Sequence, residues 1–148
     1  QPIAGAAVAV HEYGVANQEL LDALDARGAA VMRVPVYKWA LPHDLGPLKH
    51  AVAAIAAGAI PVLLLTSGIQ LAHLWQVVEV MRCEPEFRHG LASTFIASIG
   101  PTTSEELARR GLTPDMEASH PKLGFLVKEA REQASEFVAR HSAASHTA

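Results

Sequence analysis

Two stretches of the chain follow one plan, and that plan restricts the fold more than any other feature. "PVLLLTSGIQL" (61–71) and "FIASIGPTTSEEL" (95–107) each run from a short apolar segment, through glycine and hydroxyl residues, into a helical pattern. The apolar segments 60–65 and 94–99 are short and bounded by turn signals, so they read as buried strands. Thr102 stands three residues before Glu105, and Ser67 three before Gln70. That is capping-box spacing, in which a hydroxyl caps the helix start and the longer side chain reaches back. Strands that feed helices in this way build an α/β sheet, and in a parallel sheet both helix starts lie at the carboxyl edge.

The rest of the chain extends the pattern. Segment 6–10 reads as a buried strand, "HEYGVANQ" as a loop with Asn17 as a helix cap, and 19–27 as a helix stopped by Gly28. Segment 30–36 is the next strand, despite Pro35, giving a strand–helix–strand unit. "YKWALPHDLGP" (37–47) is the least regular stretch and the expected boundary or hinge. Helices are expected over 48–57 and 69–81, with a loop or short helix through "CEPEFRHG". Further helices cover 104–110, stopped by Gly111, and 122–140. Segment 115–118 reads as a short edge strand and 141–148 as a frayed tail. The expected fold class is therefore α/β, a parallel sheet with helices on both faces. Residues 1–40 form one piece and 41–140 another.

Composition narrows the function. The 148 residues are 50% hydrophobic, enough for a real core. A formal net charge of −3 without a basic stripe argues against nucleic acid. Apolar runs are broken by Gly58 and Pro61 before they reach the roughly 20 residues of a membrane span, so no membrane partner is expected. The start lacks both a charged signal-peptide region and an initiator methionine, which reads as a chain cut from something longer. Cys83 is the single cysteine, which excludes an internal disulfide and fits a reducing cytoplasm.

The two helix starts offer unpaired N–H groups and a partial positive charge, which suit a carboxylate or phosphate. Most hydroxyl caps only satisfy backbone donors. Two such devices on neighbouring strands favour a shared anion site. There is neither a GxGxxG loop nor a Walker lysine, so a nucleotide is not expected.

"VPVYKWALPHD", "LLLTSGIQ", "IASIGPTTSEELARRGL" and "HPKLGFLV" together resemble the uroporphyrinogen-III synthase family, over about residues 3–130 and in the family's order. The resemblance implies two α/β domains, one inserted into the other, with the active site in a cleft between them. Residues 1–36 resemble the end of the inserted domain and 45–140 the returning part of the other. Only part of the two-domain architecture is present, and pairing with another copy would complete the sheets. The implied reaction closes the linear tetrapyrrole hydroxymethylbilane, with loss of its terminal hydroxyl and inversion of the last pyrrole ring. It uses no metal or organic cofactor. The resemblance makes Tyr37 the hydrogen-bond donor to the leaving hydroxyl. It also brings Ser67, Thr102 and Thr103 to the substrate, with Thr66, Gly68 and Gly100 shaping the same edge through backbone N–H groups. Lys38 is expected to meet a carboxylate, although surface lysines are common.

Other residues carry weaker signals. The eight histidines show no helical i, i+4 pair, so no zinc site is expected. His11 and His120 follow predicted strands, so either could reach a cleft, but each reads first as a solvated or capping histidine. Trp39 and Trp75 read as core or boundary packing. Cys83 lacks a neighbouring histidine–acid pair. The alternative to an enzyme is a non-catalytic tetrapyrrole- or organic-acid-binding module derived from the same fold; a third reading is an interaction domain without a ligand.

Overall fold

The computed structural model describes residues 3–14 and 16–145, with backbone alone for 141–145. The chain divides into two units, Gln1–Leu41 and Pro42–Ala148.

The first unit is β1 (Ala7–Tyr13), α1 (Gln18–Asp25) and β2 (Ala30–Tyr37), with β1 and β2 paired in parallel. The Asn17 side chain accepts the Leu20 N–H at 3.0 Å, so α1 starts where the cap residue predicts. Leu21 is buried on this helix. Two expectations fail on β1. It does not stop at residue 10, and it is not a buried strand. His11, Glu12 and Tyr13 continue the ladder, because pairing with β2 satisfies their backbone whatever their polarity. Alternation leaves Ala7, Ala9, His11 and Tyr13 exposed, while Val8, Val10 and Glu12 are covered to different degrees. Glu12 is held by Arg33, whose Nε and guanidinium NH2 donate to its two carboxylate oxygens at 2.6 and 3.1 Å.

The second unit contains α2 (Gly46–Ala56), β3 (Val62–Leu65), α3 (Gly68–Met81) and α4 (Glu84–Leu91). After these come β4 (Phe95–Ser98), α5 (Pro101–Ala108), β5 (Met116–Glu117) and α6 (Leu123–Ser145). Its three strands are all parallel, in the order β3-β4-β5. Every residue of β4 is buried. Phe95 and Ala97 pack with Met116, Leu126, Ala130 and Ala134, which places α6 on one face. Ile96 and Ser98 alternate to the other face, where Ser98 Oγ lies 2.9 Å from Ser104 Oγ of α5. Helices thus cover both faces of this sheet, as expected of its fold class.

On that second face, α2 and α4 cross at Gly90. A Cβ there would stand 1.7 Å from the Ile55 carbonyl oxygen, so only glycine lets the backbones approach this closely. Trp75 is buried against Phe87, with the guanidinium carbons of Arg88 and Arg110 lying 4.8 and 5.5 Å from its ring centroid. "CEPEFRHG" supplies α4, with Cys83 as its cap residue. The final helix continues to Ser145, into the segment expected to be a frayed tail. Residues 146–148 of that segment lie outside the described residues. Among the described residues, no helix is long and apolar enough to cross a membrane.

Candidate functional site

In the second unit, β3 ends at Leu65 and β4 at Ser98, and these two residues are register partners. Because the strands are parallel, the turns that follow leave from the same carboxyl edge, and α3 and α5 start there side by side. A Cβ on Gly68 would lie 3.1 Å from Glu106 Cβ and 3.6 Å from the Thr102 carbonyl oxygen, so the first turn of α3 rests on α5. The arrangement therefore brings together Thr66, Ser67, Gly68, Gly100, Thr102 and Thr103. Tyr37 and Lys38 belong to the first unit.

The caps differ from those expected. Helix α5 starts at Pro101 with Gly100 as its cap residue, and no side chain caps it. Proline at the first helical position presets φ and lacks the N–H that would need a partner. Thr102 therefore sits inside the first turn, and its capping box with Glu105 does not form. At α3, Ser67 is the cap residue but makes no side-chain cap bond. Gln70 reaches back to the N–H of Thr66, not to Ser67, at 2.9 Å. The Gly100 N–H is also taken, donated to Ser98 Oγ at 3.3 Å. Thr102 is exposed and Thr103 is buried, and no described residue shares a hydrogen bond with the Thr103 hydroxyl.

A third wall of this edge is missing from the sequence reading. Strand β5 also runs parallel and leads through residues 118–122 into α6. Pro121 in this loop lies 3.5 Å from where a Gly100 Cβ would stand. Glu129 fastens the loop: its carboxylate accepts the Ser119 N–H at 2.9 Å and the Ser119 hydroxyl. These hydrogen bonds from Ser119 hold the Glu129 carboxyl below its ordinary range. His120 stacks on Phe125 at 4.5 Å between ring centroids. The strand-to-helix signal of 115–122 is the same as at the other two strands, though with only two strand residues to announce it. A carboxylate is also present here: the Ser104 hydroxyl donates to Glu117.

In the first unit, Tyr37 ends β2 with its ring 5.8 Å from that of Tyr13 and 5.2 Å from that of Trp39. Trp39 is 49% exposed and packs edge to face on Tyr37, so it lies at the boundary, whereas Trp75 is core. Lys38 is exposed. Among the described residues, no group of three His, Cys, Asp or Glu side chains is placed to hold a metal ion.

Comparison with known proteins bears on these observations. The model of the family "Uroporphyrinogen-III synthase HemD" matches residues 1–128. A relative from Methanothermobacter thermautotrophicus, provisionally named a uroporphyrinogen-III synthase, is 28% identical over 111 residues, covering 75% of this chain and 43% of the relative. A crystal structure of a mutant uroporphyrinogen III synthase from the extreme thermophile Thermus thermophilus superposes with a TM-score of 0.54 at 22% identity. It covers 77% of this chain and 43% of that one, a likeness of fold. The chain thus spans less than half the length of the relatives it matches.

Proposed function

Because the chain belongs to the uroporphyrinogen-III synthase family, we propose that it takes part in closing hydroxymethylbilane to uroporphyrinogen III, with inversion of the last pyrrole ring and loss of water. One observation carries this reading beyond family membership: two neighbouring parallel strands deliver two helix N-termini to one edge. The substrate bears carboxylate arms on every ring, and first-turn N–H groups with their partial positive charge bind carboxylates.

In this reading the first-turn N–H groups of Gly68, Ile69 and Thr102 meet the arms, since those of Thr66 and Gly100 are already taken. The hydroxyls of Ser67 and Thr102 add further contacts, and buried Thr103 holds the edge in shape with Thr66 and Gly100. Lys38 supplies a cation. Tyr37 donates a hydrogen bond to the departing hydroxyl, which leaves more readily as water than as hydroxide. The remaining rate gain comes from holding a flexible chain bent until its ends meet. No metal or organic cofactor takes part. The compartment is the cytoplasm, and a second copy of the chain completes the sheets.

The test is to supply freshly made hydroxymethylbilane and analyse the porphyrin isomers formed. Type III above the spontaneous type I background supports the reading. Type I alone overturns it, and binding without a change in isomer ratio would instead mark a binding module. Tyr37→Phe should lower turnover about tenfold or more, as loss of one hydrogen bond to the leaving group requires. Sedimentation of the active sample reports whether a second copy is needed.

A further inference from the structure

The first unit holds a feature that the proposed chemistry does not yet use. The β1–β2 ladder runs in step from Ala7↔Ala30 to Glu12↔Pro35, and then Tyr13 pairs with Tyr37, skipping Val36. Pro35 has no N–H to give the ladder, and proline in sheets sits at edges or bulges. In an unbroken ladder Tyr13 would face Val36, and Tyr37 would point to the opposite side. The extra residue turns Tyr37 onto the face of Tyr13 and His11, and bulges re-aim side chains in this manner.

The result is a row of four rings. Centroids of His11 and Tyr13 lie 6.4 Å apart, Tyr13 and Tyr37 5.8 Å, and Tyr37 and Trp39 5.2 Å, all edge to face. Trp39 occupies the space above Gly14, where a Cβ would stand 1.9 Å from its Cδ1. Gly14 also has φ +82 and donates its N–H to the Tyr37 carbonyl at 3.1 Å, so it ties the two strand ends together. The rings are not core: Tyr13 is 60% and Tyr37 44% exposed. No described residue shares a hydrogen bond with either tyrosine hydroxyl or with the indole N–H.

We propose that His11, Tyr13, Tyr37 and Trp39 form a stacking surface for successive pyrrole rings of the substrate, with Lys38 meeting a carboxylate arm. This rests on the tetrapyrrole reading above. The row stands at the carboxyl end of a parallel strand pair, where open α/β sheets bind ligands. Its donors are unspent, and Tyr13, Tyr37 and Trp39 stay 60%, 44% and 49% exposed. Consecutive pyrroles are joined by single methylene bridges, so an acyclic chain of them presents flat rings at intervals of the same order as this row. Pyrroles are electron-rich and flat, and aromatic side chains hold such rings by offset or edge contacts.

The experiment uses the full chain and anaerobic uroporphyrinogen III as the binding probe, with citrate as a carboxylate that lacks pyrroles. Trp39 is the reporter, because Trp75 is buried. Uroporphyrinogen III should protect tryptophan emission from acrylamide, citrate should not, and Trp39→Phe should remove the protected component. Tyr13→Leu and Trp39→Leu should each weaken binding about 3- to 10-fold and raise KM for hydroxymethylbilane similarly. Gly14→Ala, which drives Trp39 from its seat, should do the same. Tyr37→Phe keeps the ring and should leave affinity within about twofold while lowering turnover. Unchanged affinity in Tyr13→Leu and Trp39→Leu overturns the proposal, as does absence of binding, even if type III isomer is formed. Ring-dependent binding with type I product alone would sustain this surface and overturn the catalytic reading.

Discussion

The two units use the same strand–helix–strand connection and arrive at opposite surfaces. In the second unit β4 is buried at all four residues, with α6 on one face and α5 on the other. In the first unit β1 exposes every alternate residue, and Met32 of β2 is 65% exposed. Parallel strands are ordinarily covered on both faces. A motif thus sets the direction of the chain but not the number of layers around it. The second unit buries most of its large apolar residues in a core, although Val80, Leu123 and Val127 stay exposed on its helices. In the first, among the described residues, alternate positions of β1 are exposed, and the row of aromatic rings lies there.

The sharpest way to break this contrast is to truncate one large side chain in each unit. Phe87 is fully buried, and Phe87→Ala should cost about 3–5 kcal/mol in urea unfolding. Met32→Ala should stay within about 0.5 kcal/mol. Equal losses would mean that the first unit's open face is covered in solution. Next in size is Gly90→Ala. The added carbon meets the Ile55 backbone, which cannot rotate away as a side chain can, so α2 and α4 must part. A loss of about 1–3 kcal/mol is expected. A neutral result would show that the α2–α4 crossing is looser than its geometry implies.

Legibility followed the apolar runs, although β3, expected to be a buried strand, is only partly covered, with Leu65 buried and Leu64 37% exposed. Strands β3 and β4 fall within two residues of their expected bounds, because an apolar run between Gly or Pro signals has few other ways to be satisfied. The open unit was harder to read. His11, Glu12 and Tyr13 belong to a strand through backbone pairing and the Glu12–Arg33 ion pair, neither of which hydropathy announces. Pro35 marked a disturbance but not which residue the ladder would skip, so the turn of Tyr37 towards Tyr13 could not be read from the sequence. At the α5 start, Pro101 and Thr102 gave competing signals. Proline prevailed because it fixes φ covalently, whereas a threonine cap depends on one hydrogen bond.

The smallest expected effect concerns how the second unit's edge is fastened. Hydrogen bonds from the Ser119 hydroxyl and N–H favour the charged form of Glu129, and so lower its pKa from the ordinary 4.5. A carboxyl depressed in the folded state adds stability above its unfolded pKa and loses it as pH falls through the folded one. The 118–122 loop should therefore stay fastened at neutral pH and release only in acid, below the range where free glutamates titrate. An NMR titration of the Glu129 side chain reads this directly, and Ser119→Ala, which removes the hydroxyl but keeps the backbone N–H, should raise its midpoint part of the way towards the ordinary value with almost no change in overall stability. If the midpoint does not move, the Ser119 hydroxyl is not what fastens this loop. The carboxyl edge of the second unit would then be as loosely bounded as the open face of the first.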